Sequence, residues 1–267
     1  SYGIISAIDV EAIENKPVYH YRPGTKVMSI GSYGCNFRCK GCHNLEISWG
    51  VKALDKLARG ESSDAWVKPE EIIALAKKHG ADGIAFTYSE PAVWMEYVID
   101  VGRLAKQAGL YTVYVSNSYV TDEALQEVAP YIDVLCSDIK SLSDEFYHDI
   151  CPVSEVDQVL ASIKKAHELG IHVETRTNVI PGKNDSAEEL KRIAQWIFDN
   201  LGADSPWHVT KFFPAYQLSH VPETPHEIIY TAAEQAKAIG LQHVYPHTDI
   251  SCDCATENAT VNDWLGK

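Results

Sequence analysis

The sequence predicts an α/β fold, a partial (β/α)6 barrel of parallel strands with short N- and C-terminal extensions. Three observations carry that expectation. Short apolar runs rich in β-forming residues recur near 27–31, 83–88, 111–116, 132–138, 171–179 and 207–213, with longer stretches of helical period between them. Five of these runs end in clusters of polar or reactive residues, as strands do when their carboxyl ends form the mouth of a ligand site. The length of 267 residues suits one domain of this class, and neither an internal repeat nor a low-complexity linker divides it. We therefore expect a single domain over 1–267, with an extension over about 1–25, the partial barrel over 26–250 and a tail over 251–267.

In chain order, the run at 27–31 delivers the chain into a loop carrying Cys35, Cys39 and Cys42. Pro69 opens a helix where its missing N–H costs nothing, and Gly80 closes it. The run at 83–88 passes into Thr87-Tyr88-Ser89-Glu90-Pro91. Trp94, Tyr97, Val98, Val101, Leu104, Ala105 and Ala108 then recur at helical spacing, up to Gly109. The third run ends in Ser116-Asn117-Ser118 and the fourth in Ser137-Asp138-Ile139-Lys140. A helix closed by Gly170 leads to the fifth, which ends in Asn178-Val179-Ile180-Pro181-Gly182. Ser186 and Glu189 make a capping box for a helix whose apolar stripe is Leu190, Ile193, Ala194, Ile197 and Leu201. Thr224-Pro225-His226-Glu227 gives the last helix a cap and a first-turn proline, and Gly240 ends it.

Composition narrows the function classes. The 23 Lys and Arg against 37 Asp and Glu give a formal charge of −14, which repels a nucleic-acid backbone, and no basic patch offsets it. No stretch approaches the apolar length of a membrane span, and the first residues lack a basic region followed by a long apolar run. We expect a cytoplasmic protein with neither a nucleic-acid nor a membrane partner. The seven cysteines, with Cys136 and Cys151 isolated, do not form a disulfide framework.

Cys35, Cys39 and Cys42 are the most informative residues. Three close thiolates make an incomplete ligand set for a [4Fe–4S] cluster, which takes four. Spacings of three and two residues let one tight loop ligate three irons and leave the fourth open to a small molecule. Two plainer readings stand beside this one. His43 would complete a Cys₃His zinc site, or the thiols are unrelated. Cys252 and Cys254 in the tail are too few for a structural zinc site alone, although His243 and His247 lie near enough in sequence to contribute.

These runs together resemble the radical S-adenosylmethionine (SAM) superfamily, in its branch of pyruvate formate-lyase activating enzymes. From about Gly3 to Tyr245 the chain looks most like the radical SAM family of the AmmeMemoRadiSam system. The three-cysteine motif carries the superfamily. Lys16-Pro17-Val18-Tyr19-His20, Thr87-Tyr88-Ser89-Glu90-Pro91, Val115-Ser116-Asn117, Asp138-Ile139-Lys140, Val179 to Asp185 and Pro206-Trp207-His208 carry the branch. The resemblance implies a [4Fe–4S] cluster on Cys35, Cys39 and Cys42, with SAM chelated at the open iron. It implies reductive cleavage of SAM to a 5′-deoxyadenosyl radical, which abstracts hydrogen from a small-molecule or partner-presented substrate. The alternative is abstraction from a backbone glycine of a glycyl radical enzyme; a non-catalytic iron–sulfur or zinc module is the reading from another class. Implied partners are an external one-electron donor of flavodoxin or ferredoxin type, and either Memo-like and AMMECR-type proteins or a glycyl radical enzyme. An exposed cluster iron would be oxygen-sensitive, so the expected setting is anaerobic.

The strand ends sort into cofactor contacts on the same resemblance. Glu90 suits the methionine ammonium of SAM, although Thr-Tyr-Ser replaces the usual glycines before it; its plainer role is a helix N-terminal acid. Ser116 and Asn117 suit ribose hydroxyls or a carboxylate, or else a turn or cap. Pleating puts Asp138 and Lys140 on one face, with Lys140 near the SAM carboxylate or ribose and Asp138 holding it or a monovalent cation. Arg176 and Asn178 share a face of the next strand, where Arg176 holds a carboxylate or an internal salt bridge. Ile180 and Pro181 would pack on adenine. Three departures stand out. Gly41 replaces an adenine-stacking aromatic, whose space Phe37 or another side chain must fill; Phe213 replaces an imidazole; and the tail reads Cys252-Asp253-Cys254.

Overall fold

The computed structural model describes residues 2–50, 55, 66–248 and 264. The six expected strands form and pair in parallel, each with the next. They are β2 (Lys26–Gly31), β3 (Gly83–Phe86), β4 (Tyr111–Ser116), β5 (Val134–Asp138), β6 (His172–Val179) and β7 (Trp207–Lys211). Two further strands widen the sheet to eight. β1 (Ala7–Ala12), from the stretch expected to be an extension, lies antiparallel on β2; β8 (Val244–His247) lies parallel on β7. The order runs from β1 to β8 with no pairing between the two ends, so the barrel is open.

Among the described residues the helices are α1 (Leu45–Ser48), α2 (Pro69–Lys78), α3 (Met95–Gln107), α4 (Asp122–Val128), α5 (Asp144–Ile150), α6 (Asp157–Glu168), α7 (Ala187–Leu201) and α8 (His226–Ile239). The stripe on α3 buries Tyr97, Val98, Val101 and Ala105, and all five stripe residues of α7 are buried. Two start signals act otherwise than expected. Ser186 caps α7 by accepting from the Glu189 N–H at 3.2 Å, but the Glu189 carboxylate reaches Ser141 Oγ and the Leu142 N–H instead of closing a capping box. Thr224 is not the cap of α8; its hydroxyl accepts from the Phe212 N–H and donates to the Val179 carbonyl, joining the loop after β7 to the end of β6. In both cases a tertiary partner outbids the local one.

The concave side of the sheet is closed below by the segment that follows β1. Ile13 and Val18 are fully buried against Val27, Ala85, Val113, Val134 and Cys136, so the strap over residues 13–20 plugs the barrel. Each fully buried aliphatic side chain contributes on the order of 1.5–3 kcal/mol. Glu174 anchors the strap's far end. Its carboxylate, fully buried, accepts from the Tyr19 and His20 N–H groups, from His172 Nε2 at 3.0 Å and from His208 Nε2 at 2.9 Å. Because a carboxylate only accepts, His208 carries its hydrogen on Nε2, and neutral His208 Nδ1 accepts from His247 Nε2 at 2.9 Å. Cys252 and Cys254 lie outside the described residues.

Candidate active site

Above this plug the strand ends surround a cavity of about 470 Å³, within the range of roughly 300–1,000 Å³ common for small-molecule sites. All ten residues singled out from the sequence line it: Cys35, Cys39, Cys42, Glu90, Ser116, Asn117, Asp138, Lys140, Arg176 and Asn178. Sequence distances of up to 143 residues thus collapse onto one mouth because five parallel strands end there.

The cysteine loop is held by its backbone rather than by its thiols. The Gly34 N–H donates to the Ile47 carbonyl, the Lys40 N–H to Ile150 at the end of α5, and the Gln217 N–H to the Lys40 carbonyl. Phe37 drives into the core between Tyr119 and Tyr147. That leaves the three thiols part-exposed toward the cavity. They do not converge on a point: among the described residues no three His, Cys, Asp or Glu side chains gather so as to hold a single metal ion. A cuboidal cluster takes one thiolate per iron and needs thiols spread around a space. His43 also lines the cavity, but it is engaged with the Phe213 backbone, which weakens the mononuclear Cys₃His reading. A hydrogen bond from Cys151 holds the Cys39 thiol down to about 7 against burial, while burial pushes the Cys35 and Cys42 thiols up.

Glu90 stands at the N-terminus of a 3₁₀ turn over Pro91–Trp94 and is 2% exposed. Its carboxylate accepts from Ser116 Oγ at 2.8 Å, the Asn117 N–H at 2.8 Å and the Ala92 N–H at 3.1 Å. Burial nevertheless dominates and lifts its pKa to about 7. Ser116 and Asn117 therefore act first on the protein. Ser116 holds Glu90, and the Asn117 side chain is spent on Asn36 Oδ1 and the Tyr119 N–H. Both residues also line the cavity.

Asp138 and Lys140 do share a face, and Arg176 joins them. Lys140 Nζ lies 2.6 Å from Asp138 Oδ2, and Arg176 Nη2 lies 2.6 Å from Asp138 Oδ1. Burial alone would raise the Asp138 carboxyl; Arg176 and Lys140 overcome it and hold it at about 2. The triad carries one net positive charge into the cavity. Each oxygen of Asp138 has a cationic partner, so Asp138 holds Lys140, one of the two roles expected of it. Asn184, 1% exposed, clasps this wall by donating to the Lys140 and Asn178 carbonyls and accepting from the Ile180 N–H. Ile180 is in the core, and neither it nor Pro181 lines the cavity.

The space beside Gly41 is filled by residues other than Phe37. A Cβ there would stand 3.2 Å from both Leu218 and Phe212, so these side chains already press on the backbone at this position. Gly31 is constrained for a similar reason, since its Cβ would meet the Thr87 carbonyl at 2.9 Å and the Tyr88 side chain at 3.0 Å. Tyr88 takes a left-handed φ of 67°, a strained choice for a tyrosine. Its ring lines the cavity under the Lys16 ammonium, which pairs with Glu11 at 2.5 Å. Tyr88 belongs to the strand-end cluster expected at the mouth, whereas Lys16 and Tyr19 are lining residues outside every strand end. The signal lay in Lys16-Pro17-Val18-Tyr19-His20, an apolar core flanked by polar residues in a segment without period. Ser89 Oγ and Asn178 Oδ1, both beside the cavity, are buried with no hydrogen-bond partner in the protein, as polar atoms are where a polar ligand belongs.

The chain belongs to the radical SAM superfamily, whose family model matches residues 29–197. It is 35% identical over 244 residues to protein MJ0808 of Methanocaldococcus jannaschii, covering 91% of this chain and 70% of that one. It is 25% identical over 176 residues to the pyruvate formate-lyase-activating enzyme of Clostridium pasteurianum, covering 66% and 70%. Among solved structures, a radical SAM methyltransferase from Sphaerobacter thermophilus shares the fold at a TM-score of 0.64 and 15% identity, over 88% of this chain and 71% of that one. The chain is thus an enzyme of the radical SAM type with homology to the activating enzymes, and the family implies a [4Fe–4S] cluster and SAM. No helix among the described residues is long and apolar enough to cross a membrane.

Proposed function

We propose that Cys35, Cys39 and Cys42 hold a [4Fe–4S] cluster and that the adjoining cavity binds SAM for hydrogen abstraction from a substrate presented at its mouth. The observation that supports this best is the placing of three thiols, a buried carboxylate and a net positive triad around one cavity. When bound, the cluster and SAM supply a 5′-deoxyadenosyl radical; the chain's own side chains bind, orient and shield. Glu90 accepts from the amino group of SAM, with Ser116 and Asn117 fixing its oxygens. Lys140 and Arg176 face the SAM carboxylate, restrained by Asp138. Asn178 and Ser89 offer the remaining polar contacts, and the strap keeps water out from below.

The test is anaerobic reconstitution with iron and sulfide, reduction, and assay for 5′-deoxyadenosine from SAM. A normal cluster spectrum with no 5′-deoxyadenosine would sink this reading. A second reading, activation of a glycyl radical enzyme, draws on the activating enzymes among the relatives. An electron donor is needed in either case. Memo-like or AMMECR-type neighbours in the genome would favour the first reading, and a glycyl radical enzyme the second.

The Glu90 assignment makes a pH prediction. Its apo carboxyl sits at about 7, and accepting from the SAM amino group favours the charged form, so binding lowers that value and releases a proton below pH 7. Affinity for SAM should be full above pH 7 and fall as the pH drops, by up to about tenfold per unit. Calorimetric titration at pH 6, 7 and 8 checks it. A wild-type profile no steeper than that of Glu90→Gln refutes the role.

A further inference from the structure

Cys39 lies against a second thiol for which the proposed chemistry has no use. Cys151 ends α5 and is fully buried. The Lys40 N–H donates to the Ile150 carbonyl at 2.8 Å and the Arg38 N–H to the Cys151 carbonyl at 3.4 Å, so the backbone on both sides of Cys39 is fastened to the turn that carries Cys151. A bond from the residue after one position to the residue before its opposite is half the pattern of a non-hydrogen-bonded antiparallel pair, in which Cα atoms stand about 4.5 Å apart. The other half would need an N–H at residue 152, which is Pro152. A disulfide spans Cα separations of ~4.4–6.8 Å, and the two backbone bonds set Cys39 opposite Cys151. The side chains meet in a thiol–thiol hydrogen bond. The other two loop thiols turn elsewhere, Cys35 accepting from the Phe37 N–H at 3.3 Å and Cys42 bonding Ser48.

We propose that, in the chain without its cluster, Cys39 and Cys151 close into a reversible disulfide that withdraws one cluster-loop thiol and blocks cluster loading until it is reduced. With glutathione disulfide as oxidant, the Cys39 thiolate attacks one glutathione sulfur and expels the first glutathione. The Cys151 sulfur then attacks Cys39 Sγ, forms the protein disulfide and expels the second. Two protein thiols are oxidised, one glutathione disulfide is reduced to two thiols, and the protons of Cys39 and Cys151 leave with them. Only Cys39 must be reached from outside, and it is the part-exposed member of the pair. The block on loading rests on the reading of Cys39 as a cluster ligand; the disulfide itself does not.

Trypsin separates the thiols in question. Cleavage after Arg38, Lys40, Lys140 and Lys164 places Cys35, Cys39, Cys42 and Cys151 on four different peptides. The full chain, stripped of iron, is incubated with glutathione disulfide, alkylated, digested without reductant and examined by mass spectrometry. The expected product joins the Cys39-Lys40 dipeptide to the Ser141–Lys164 peptide, disappears with dithiothreitol and is absent from Cys151→Ser. Iron uptake by the oxidised wild-type chain should be lost and return after dithiothreitol. Cys39 linked to Cys35 or Cys42, or carrying glutathione beside a free Cys151, overturns the pairing. A Cys39–Cys151 link that leaves iron uptake unchanged overturns the block, and with it the assignment of Cys39 as a ligand.

Discussion

Alanine at Cys35, Cys39 or Cys42 is expected to leave a folded protein that cannot hold a full [4Fe–4S] cluster and forms no detectable 5′-deoxyadenosine from SAM. The loss should exceed the roughly 10- to 100-fold that partners one shell further out typically cost. The fold should survive because the loop's position comes from Phe37, packed in the core, and from backbone bonds to Ile47, Ile150 and Gln217, none of which uses a thiol. Iron and sulfide counts on the anaerobically reconstituted variants, read beside thermal unfolding, check both halves. A variant that keeps a full cluster refutes the ligand assignment. One that loses the cluster and also unfolds many degrees early shows instead that the thiols hold the loop.

The fold and the site were legible in the sequence to different depths. Parallel strands buried on both faces announce themselves as apolar runs, and the polar residues after them must then share a mouth, so Glu90, Asp138 and Arg176 could be brought together from order alone. Their partners could not. Pleating pairs Asp138 with Lys140 within one strand end, but the bond from Arg176 depends on the register of β6 against β5. Ser116 and Asn117 look like free polar groups until the neighbouring strand supplies Glu90. β8 escaped because four residues containing Pro246 give almost no strand signal. The strap escaped because its burial follows from the barrel around it and from no period of its own. Glu174 is the clearest case: an acid inside an apolar strand run, whose five donor and histidine partners come from residues 19–20, 172, 208 and, through His208, 247.

That acid carries the second large effect. Glu174→Ala should lower stability by about 3–5 kcal/mol, the usual cost of stranding the partners of a buried charge, and depress the melting temperature by roughly 10 °C for a chain of this size. The same substitution should loosen the strap, because the Tyr19 and His20 N–H groups lose their acceptor. Burial alone would raise the Glu174 carboxyl, but hydrogen bonds from His172, His208 and the two backbone N–H groups outweigh it and draw it from 4.5 to about 2. A carboxyl depressed in the folded state stabilises above its unfolded value and loses that contribution as the pH falls toward the folded one. Glu174 therefore contributes fully above about pH 5 and drains away between pH 5 and 2, by about 3 kcal/mol at 1.36 kcal/mol per unit. His247, held by burial down to about 4 from 6.5, destabilises the fold over a different window as it is forced to accept a proton, from pH 6.5 to 4. Glu174→Gln should thus keep the acid sensitivity between pH 6.5 and 5 and lose most of the slope below pH 4. Urea unfolding of both variants and wild type at pH 7, 5, 4 and 3 separates the two windows. Parallel wild-type and Glu174→Gln curves below pH 4 would show that the strap is held by its apolar residues, Ile13 and Val18, and not by the buried carboxylate.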